Sequence, residues 1–209
     1  RGEATGALHR HVSTAADALA DAVRRLLDTA VGSHADDDTL TAARALVETA
    51  TAELEDGRRT VSGPVHRSAF RHAHSIVTGT ANPLAPPVDL TFSEDEVRGA
   101  FRLGRRYEGA PGLAHGGVLC LVLDHLLGEA AIAQGVGGMT VGLDVRFLAP
   151  TRLETDLEVV ARVARVDGRK VHLEGAITHE GRPTATATAV FVQLDAAKAA
   201  EIFPQLSAS

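Results

Sequence analysis

Between Val118 and Gln134 the chain is apolar almost all round, with leucine and alanine dominating. A helix of this kind has no polar face to offer water, so something must surround it. Asp124 breaks the apolar run that begins at Gly109, well short of the ~18–20 residues that a bilayer span needs. The helix is therefore expected at the centre of a soluble fold, with no membrane association.

The segments on either side have the period that could surround it. Val88 to Phe92 is a short strand, and Val97, Gly99, Phe101 and Leu103 alternate with Arg98, Ala100 and Arg102 as a half-buried strand does. After Gly135, Gly137 and Gly138 four alternating segments follow: Val141/Leu143/Val145/Phe147, Leu157/Val159/Ala161/Val163, Val171/Leu173/Gly175/Ile177 and Ala185/Ala187/Ala189/Phe191. Asp167-Gly168 and Glu180-Gly181 are short hairpin connections, and Pro150 falls between strands, where no ladder donor is required. The order of two strands, buried helix and a four-strand meander predicts an α+β fold, an antiparallel sheet wrapped around one long helix.

Upstream the period is helical. Ala16, Leu19, Val23, Leu26 and Ala30 form one stripe, with Ser13 the expected N-cap and Gly32 the stop. Asp36, Asp37 and Asp38 precede a second stripe of Leu40, Ala43, Val47, Ala50 and Leu54, which Gly57 ends, and the pair is expected to form a helix hairpin. Pro64 to Val77 is expected to add a short third helix. The proline-rich run from Gly79 to Pro87 reads as a linker. Residues 1–80 are accordingly an N-terminal helical extension and residues 81–209 the sheet-and-helix domain. Both stripes need cover, so the extension is expected to pack on the sheet or across an oligomer interface.

Charge and cysteine usage exclude several functions. Lys and Arg total 21 against 27 acidic residues, a net charge of -6, with no basic block for a nucleic acid to bind. The one cysteine, Cys120, cannot form an intrachain disulfide, which suits a reducing cytoplasm, and residues 1–10 show no secretory signal pattern. His66, His72 and His74 lack a recognised ligand spacing, so no metal is expected.

Two features carry chemistry. Asp124 lies within Leu121-Val122-Leu123-Asp124-His125-Leu126-Leu127, where a carboxylate needs a partner, water or a task. It is either a reactive group or a carboxylate satisfied by His125 or an arginine. Gly112-Leu113-Ala114-His115-Gly116-Gly117 stands immediately before the helix, where glycines admit a ligand to backbone N–H groups and the helix dipole favours a developing oxyanion. The same residues also suit an ordinary helix start. Gly116 and Asp124 are about 12 Å apart along one helix, so a single reacting carbonyl meets both only if two chains contribute. Antiparallel central helices across a two-fold axis would bring the glycine end of one chain to the carboxylate of the other.

The set His115-Gly116-Gly117-Val118, Asp124, the strand from Met139 to Pro150 and the turn Val166-Asp167-Gly168-Arg169-Lys170 resembles the hotdog-fold acyl-CoA thioesterases. The likeness covers roughly residues 83–194 and is to the branch of the phenylacetate-pathway and mitochondrial thioesterase-superfamily members. It implies a hotdog fold and hydrolysis of acyl-CoA, with coenzyme A a part of the substrate and no separate cofactor. It implies catalytic roles for Gly116, whose N–H polarises the thioester carbonyl, for His115 beside it, for Asp124 from the neighbouring subunit, and for Thr140, which helps hold the attacking water. Gly117, Arg169 and Lys170 are the implied substrate-binding residues, the basic pair facing coenzyme A phosphates. The implied assembly is a homodimer or a dimer of dimers. Asn82-Pro83-Leu84-Ala85 lacks the final histidine of the hotdog hydratases, and no basic recognition helix suggests a DNA-binding regulator. The second reading is a non-catalytic acyl-CoA-binding module.

Overall fold

The computed structural model describes residues 14–55, 57 and 73–202. Ser13 and most of the segment expected as a third helix lie outside them, and residues 74–80 run in turns.

The apolar segment forms helix α3, Gly116–Ala133, which continues through Asp124. It is long and apolar enough to cross a membrane, but it lies in the core instead. A six-stranded antiparallel sheet curls around it, built from β1 (Asp89–Phe92), β2 (Val97–Phe101), β3 (Met139–Phe147), β4 (Leu157–Asp167), β5 (Lys170–His179) and β6 (Arg182–Val192). Leu119, Val122, Leu123, Leu126 and Leu127 of α3 meet the inward residues of the strands in one continuous core. On β4, β5 and β6 these are the alternate positions that the period of two singles out, from Leu157 to Phe191.

The strand order is β1-β2-β4-β5-β6-β3, which corrects the expected four-strand meander. Only β4, β5 and β6 form one; β3 pairs with β6 and closes the sheet as an edge. The cause is the connection 148–156, which is too long for a tight turn and is held elsewhere. The Leu148 N–H donates to the Thr184 carbonyl, Arg152 bridges to Leu113, and the Glu154 N–H donates to the Leu103 carbonyl. The loop therefore crosses beside the start of α3. The two hairpins do form. In the β5–β6 turn both Glu180 and Gly181 have positive φ, 50° and 73°, the conformation that matches strand twist in two-residue loops.

Helix α1 is Ala15–Val31, started by a Thr14–Asp17 capping box, one residue after the expected cap, because Thr14 is the hydroxyl that pairs reciprocally with Asp17, and ended at Gly32. It docks by its polar face. Arg24, 6% exposed, donates to the carbonyls of Ala85 (3.2 Å), Gly79 (3.0 Å), Thr80 (2.7 Å) and Asn82 (2.7 Å). The Thr80 hydroxyl donates to Asp17, and Arg106 binds Asp28. One guanidinium thus orders the proline-rich run, each bond replacing a water that a buried carbonyl would lack. Arg24→Met leaves those acceptors unpaired. It is expected to lower stability by about 3 kcal/mol, a fall in Tm of roughly 6–12 °C for a chain of this size, read by thermal denaturation. An unchanged Tm would show that the run is held by other contacts.

Helix α2, Asp37–Glu55, buries none of its residues, so the expected hairpin with α1 is not closed. A final short helix, α4, spans Ala196–Ile202.

Candidate active site

The site begins in the loop that leads into α3. The Gly109 N–H donates to the Leu113 carbonyl and the Leu113 N–H to that of Ala110, turning the chain back on itself, while Glu108 and Ala114 pair across the turn. A Cβ on Gly109 would lie 2.8 Å from the Cα of His115, so this close return needs glycine. Two longer-range bonds fix the end of the loop. The His115 N–H donates to the Tyr107 carbonyl at 2.8 Å and the Ala114 N–H to that of Thr151 at 2.9 Å. Burial pushes the Tyr107 phenol above its ordinary pKa, against the nearby Arg106 charge, and its hydroxyl donates to the Leu84 carbonyl at 2.6 Å.

His115 is the N-cap of α3. Its Nδ1 accepts the Gly117 N–H at 3.0 Å, and its carbonyl accepts from Val118. An accepting Nδ1 puts the proton of the neutral ring on Nε2, which makes His115 a donor outward. The Gly117 N–H is consumed by this cap, and a Cβ there would come within 3.1 Å of the ring nitrogen. The Gly116 N–H has no acceptor among the described residues. It therefore stands at the positive end of an 18-residue helix with its hydrogen-bonding capacity unspent. Above it lies the Phe147 ring, 3.0 Å from where a Gly116 Cβ would sit. Phe147, Tyr107 and Thr151 escaped the sequence reading as neighbours of the site, because each reaches it from a distant segment and carries no local motif.

Two turns along α3, Asp124 is half-buried, and the Thr140 hydroxyl at the start of β3 donates to its Oδ1 at 3.1 Å. His125 faces away from this pair, with Nε2 3.4 Å from the Ser75 and Thr78 hydroxyls and 3.6 Å from the buried Glu129 carboxylate. Arg169 and Lys170 lie at the β4–β5 hairpin, at the end of the sheet where Thr140 sits: Lys170 is opposite Val192, and Val192 is opposite Met139. The Arg169 Nε donates to the Gln193 carbonyl at 3.1 Å and its Nη1 is 3.7 Å from Asp195. Within one chain the structure joins Asp124 to Thr140, and His115 to Gly116 and Gly117. The two groups stay about 12 Å apart along the helix.

A family model described as the thioesterase superfamily matches residues 111–186, which include both groups. A solved thioesterase superfamily protein is 34% identical; the alignment covers 86% of this chain and 91% of that one, with a TM-score of 0.79. The chain belongs to the thioesterase superfamily. Its sheet wrapped about α3 is the hotdog fold of that superfamily, as the resemblance in sequence implied. The acyl-coenzyme A thioesterase THEM4 of Mus musculus is 32% identical over 100 residues, 47% of this chain and 43% of that protein. THEM4 of Bos taurus is 27% identical over 154 residues, 71% of this chain and 64% of its own length. This thioesterase-superfamily chain thus spans about half the length of the curated relatives it matches.

Proposed function

We propose that the protein hydrolyses acyl-CoA thioesters to a free acid and coenzyme A. The observation that carries this reading is a carboxylate, Asp124, held by the Thr140 hydroxyl on a predominantly apolar core helix, in a chain whose curated relatives are named acyl-CoA thioesterases.

The thioester carbonyl oxygen accepts from the Gly116 N–H, and the helix dipole favours the negative charge that grows on it during attack. Because His115 already holds the first turn, little reorganisation is needed at that moment. Asp124 then takes a proton from the attacking water, or attacks the carbonyl carbon itself to form a mixed anhydride that water opens. Thr140 orients the carboxylate in either route. Coenzyme A departs as a thiolate, an adequate leaving group because a thiol has a pKa of about 8.5. Arg169 and Lys170 supply positive charge for its phosphates, with Asp195 the ligand that a phosphate displaces from Arg169.

The two halves of the site come from two protomers. One chain cannot bring Gly116 and Asp124 to one carbonyl, whereas antiparallel α3 helices across a two-fold axis make two equivalent sites. The β3 edge favours such an assembly. Val141 is 63% exposed and Phe147 55%, and an open apolar strand edge invites a partner. The protein therefore acts as a homodimer or a dimer of dimers.

The test is release of free coenzyme A from short-, medium-, long-chain and aromatic acyl-CoA thioesters. Turnover of at least one class is expected. Tight binding of acyl-CoA without hydrolysis of any would overturn the catalytic reading in favour of a binding module.

A further inference from the structure

Helix α1 is mounted the opposite way round from an ordinary surface helix. Its polar residues Asp17, Arg24 and Asp28 point into the protein beside Ala20 and are bonded there, while its apolar stripe faces out except at Val23, which is half-buried. Leu19 is 44% exposed and Leu26 42%, with Ala16 and Ala30 exposed beside them. The stripe of α2 is equally bare: Leu40, Val47 and Leu54 are 49%, 42% and 55% exposed. Two adjacent helices that each leave an apolar stripe in water carry a penalty that association removes.

The two stripes match. Residues 16, 19, 23, 26 and 30 of α1 and 40, 43, 47, 50 and 54 of α2 have the same alternation of three and four, over the same length of about 21 Å. That is the spacing by which two helices pack side by side, knobs into holes. Charge selects the pairing. The α2 helix bears Asp37, Asp38, Glu48, Glu53 and Glu55 against one Arg44, so two α2 helices repel each other. On α1, the exposed Asp21 is paired with Arg24, which leaves Arg25 as the outward charge without an ion-pair partner among the described residues and makes α1 the better partner for α2.

We propose that these stripes form a helix-exchange interface between two copies of this chain: α1 of each protomer packs along α2 of its partner, giving four helices about a two-fold axis. The inference stands on the helices alone and is independent of the catalytic reading. It also braces the site, because the turn that α1 grips through Asp28 and Arg106 carries the Tyr107 carbonyl that holds His115.

The test is oxidative cross-linking of the full chain bearing Val23→Cys and Val47→Cys, the midpoints of the two stripes, with Cys120→Ala to remove the native thiol. The expected result is a disulfide-linked dimer on a non-reducing gel, while Val23→Cys alone and Val47→Cys alone give none. An internally linked monomer would mean that α2 folds back on α1 of its own chain, and would overturn the exchange. So would dimers from either single variant, which would mean like helices pairing, or the absence of any cross-link, which would leave the stripes to another partner. Thioester hydrolysis measured on the same variants reads the catalytic proposal separately.

Discussion

Asp124→Asn is expected to lower kcat for acyl-CoA hydrolysis by about 10²–10⁴-fold, with little change in KM, melting temperature or assembly. Asparagine keeps the shape of the side chain and an oxygen that can accept from Thr140, so the contact that ties β3 to α3 at this point survives. What it loses is the charge and basicity needed to take a proton from water, and the nucleophilicity needed to attack directly. Asp124→Ala removes the acceptor too and is expected to be at least as damaging. Half-buried Asp124 is not part of the hydrophobic core cluster, so neither variant should unfold the protein. Coenzyme A release gives the rate, and circular dichroism with size-exclusion chromatography checks the fold. Near-normal turnover in the asparagine variant would remove Asp124 from the chemistry.

Gly116→Pro is expected to cost about 10²–10³-fold in kcat, the usual effect of deleting one oxyanion donor. The substitution is unusually clean at this position. Gly116 opens the helix, where proline is tolerated because the N–H it lacks has no intrahelical partner. His115 before it has φ -63° and ψ 130°, the extended conformation that a following proline requires. The added atoms meet the far end of the Phe147 ring, which is exposed enough to move. Gly116→Ala is the control, since it brings the same Cβ but keeps the N–H, and it should retain most of the activity. If both variants were impaired alike, the loss would lie in space near Phe147 rather than in the donor.

How much of this was legible in the sequence depended on the range of the interactions. The alternation of β4, β5 and β6 and the apolar helix expose their core positions directly, because period and burial are the same fact seen twice. The place of β3 was not legible. Its own alternation resembles that of its neighbours, and what sends it to the far edge is a loop held by Leu103, Leu113 and Thr184. The bulge between Thr140 and Gly142 is equally silent in sequence. The mounting of α1 runs against the usual rule that an apolar stripe marks the buried face. Arg24, Asp17 and Asp28, each bonded to groups more than fifty residues away, explain it, and no local pattern records that. At the site, the cap made by His115 follows from its position before a glycine-started helix. The bond between Thr140 and Asp124 is approached only through family resemblance, since a separation of sixteen positions says nothing of distance.

Assembly of each site from Gly116 of one protomer and Asp124 of the other is tested by mixing two inactive variants. Gly116→Pro and Asp124→Asn are co-refolded in equal amounts and assayed for coenzyme A release beside each variant alone. In a mixed dimer one site carries both defects and the other carries neither. Random pairing therefore restores about a quarter of wild-type activity per chain. Mixtures no more active than the separate variants, at the same oligomeric state, would contradict the shared site.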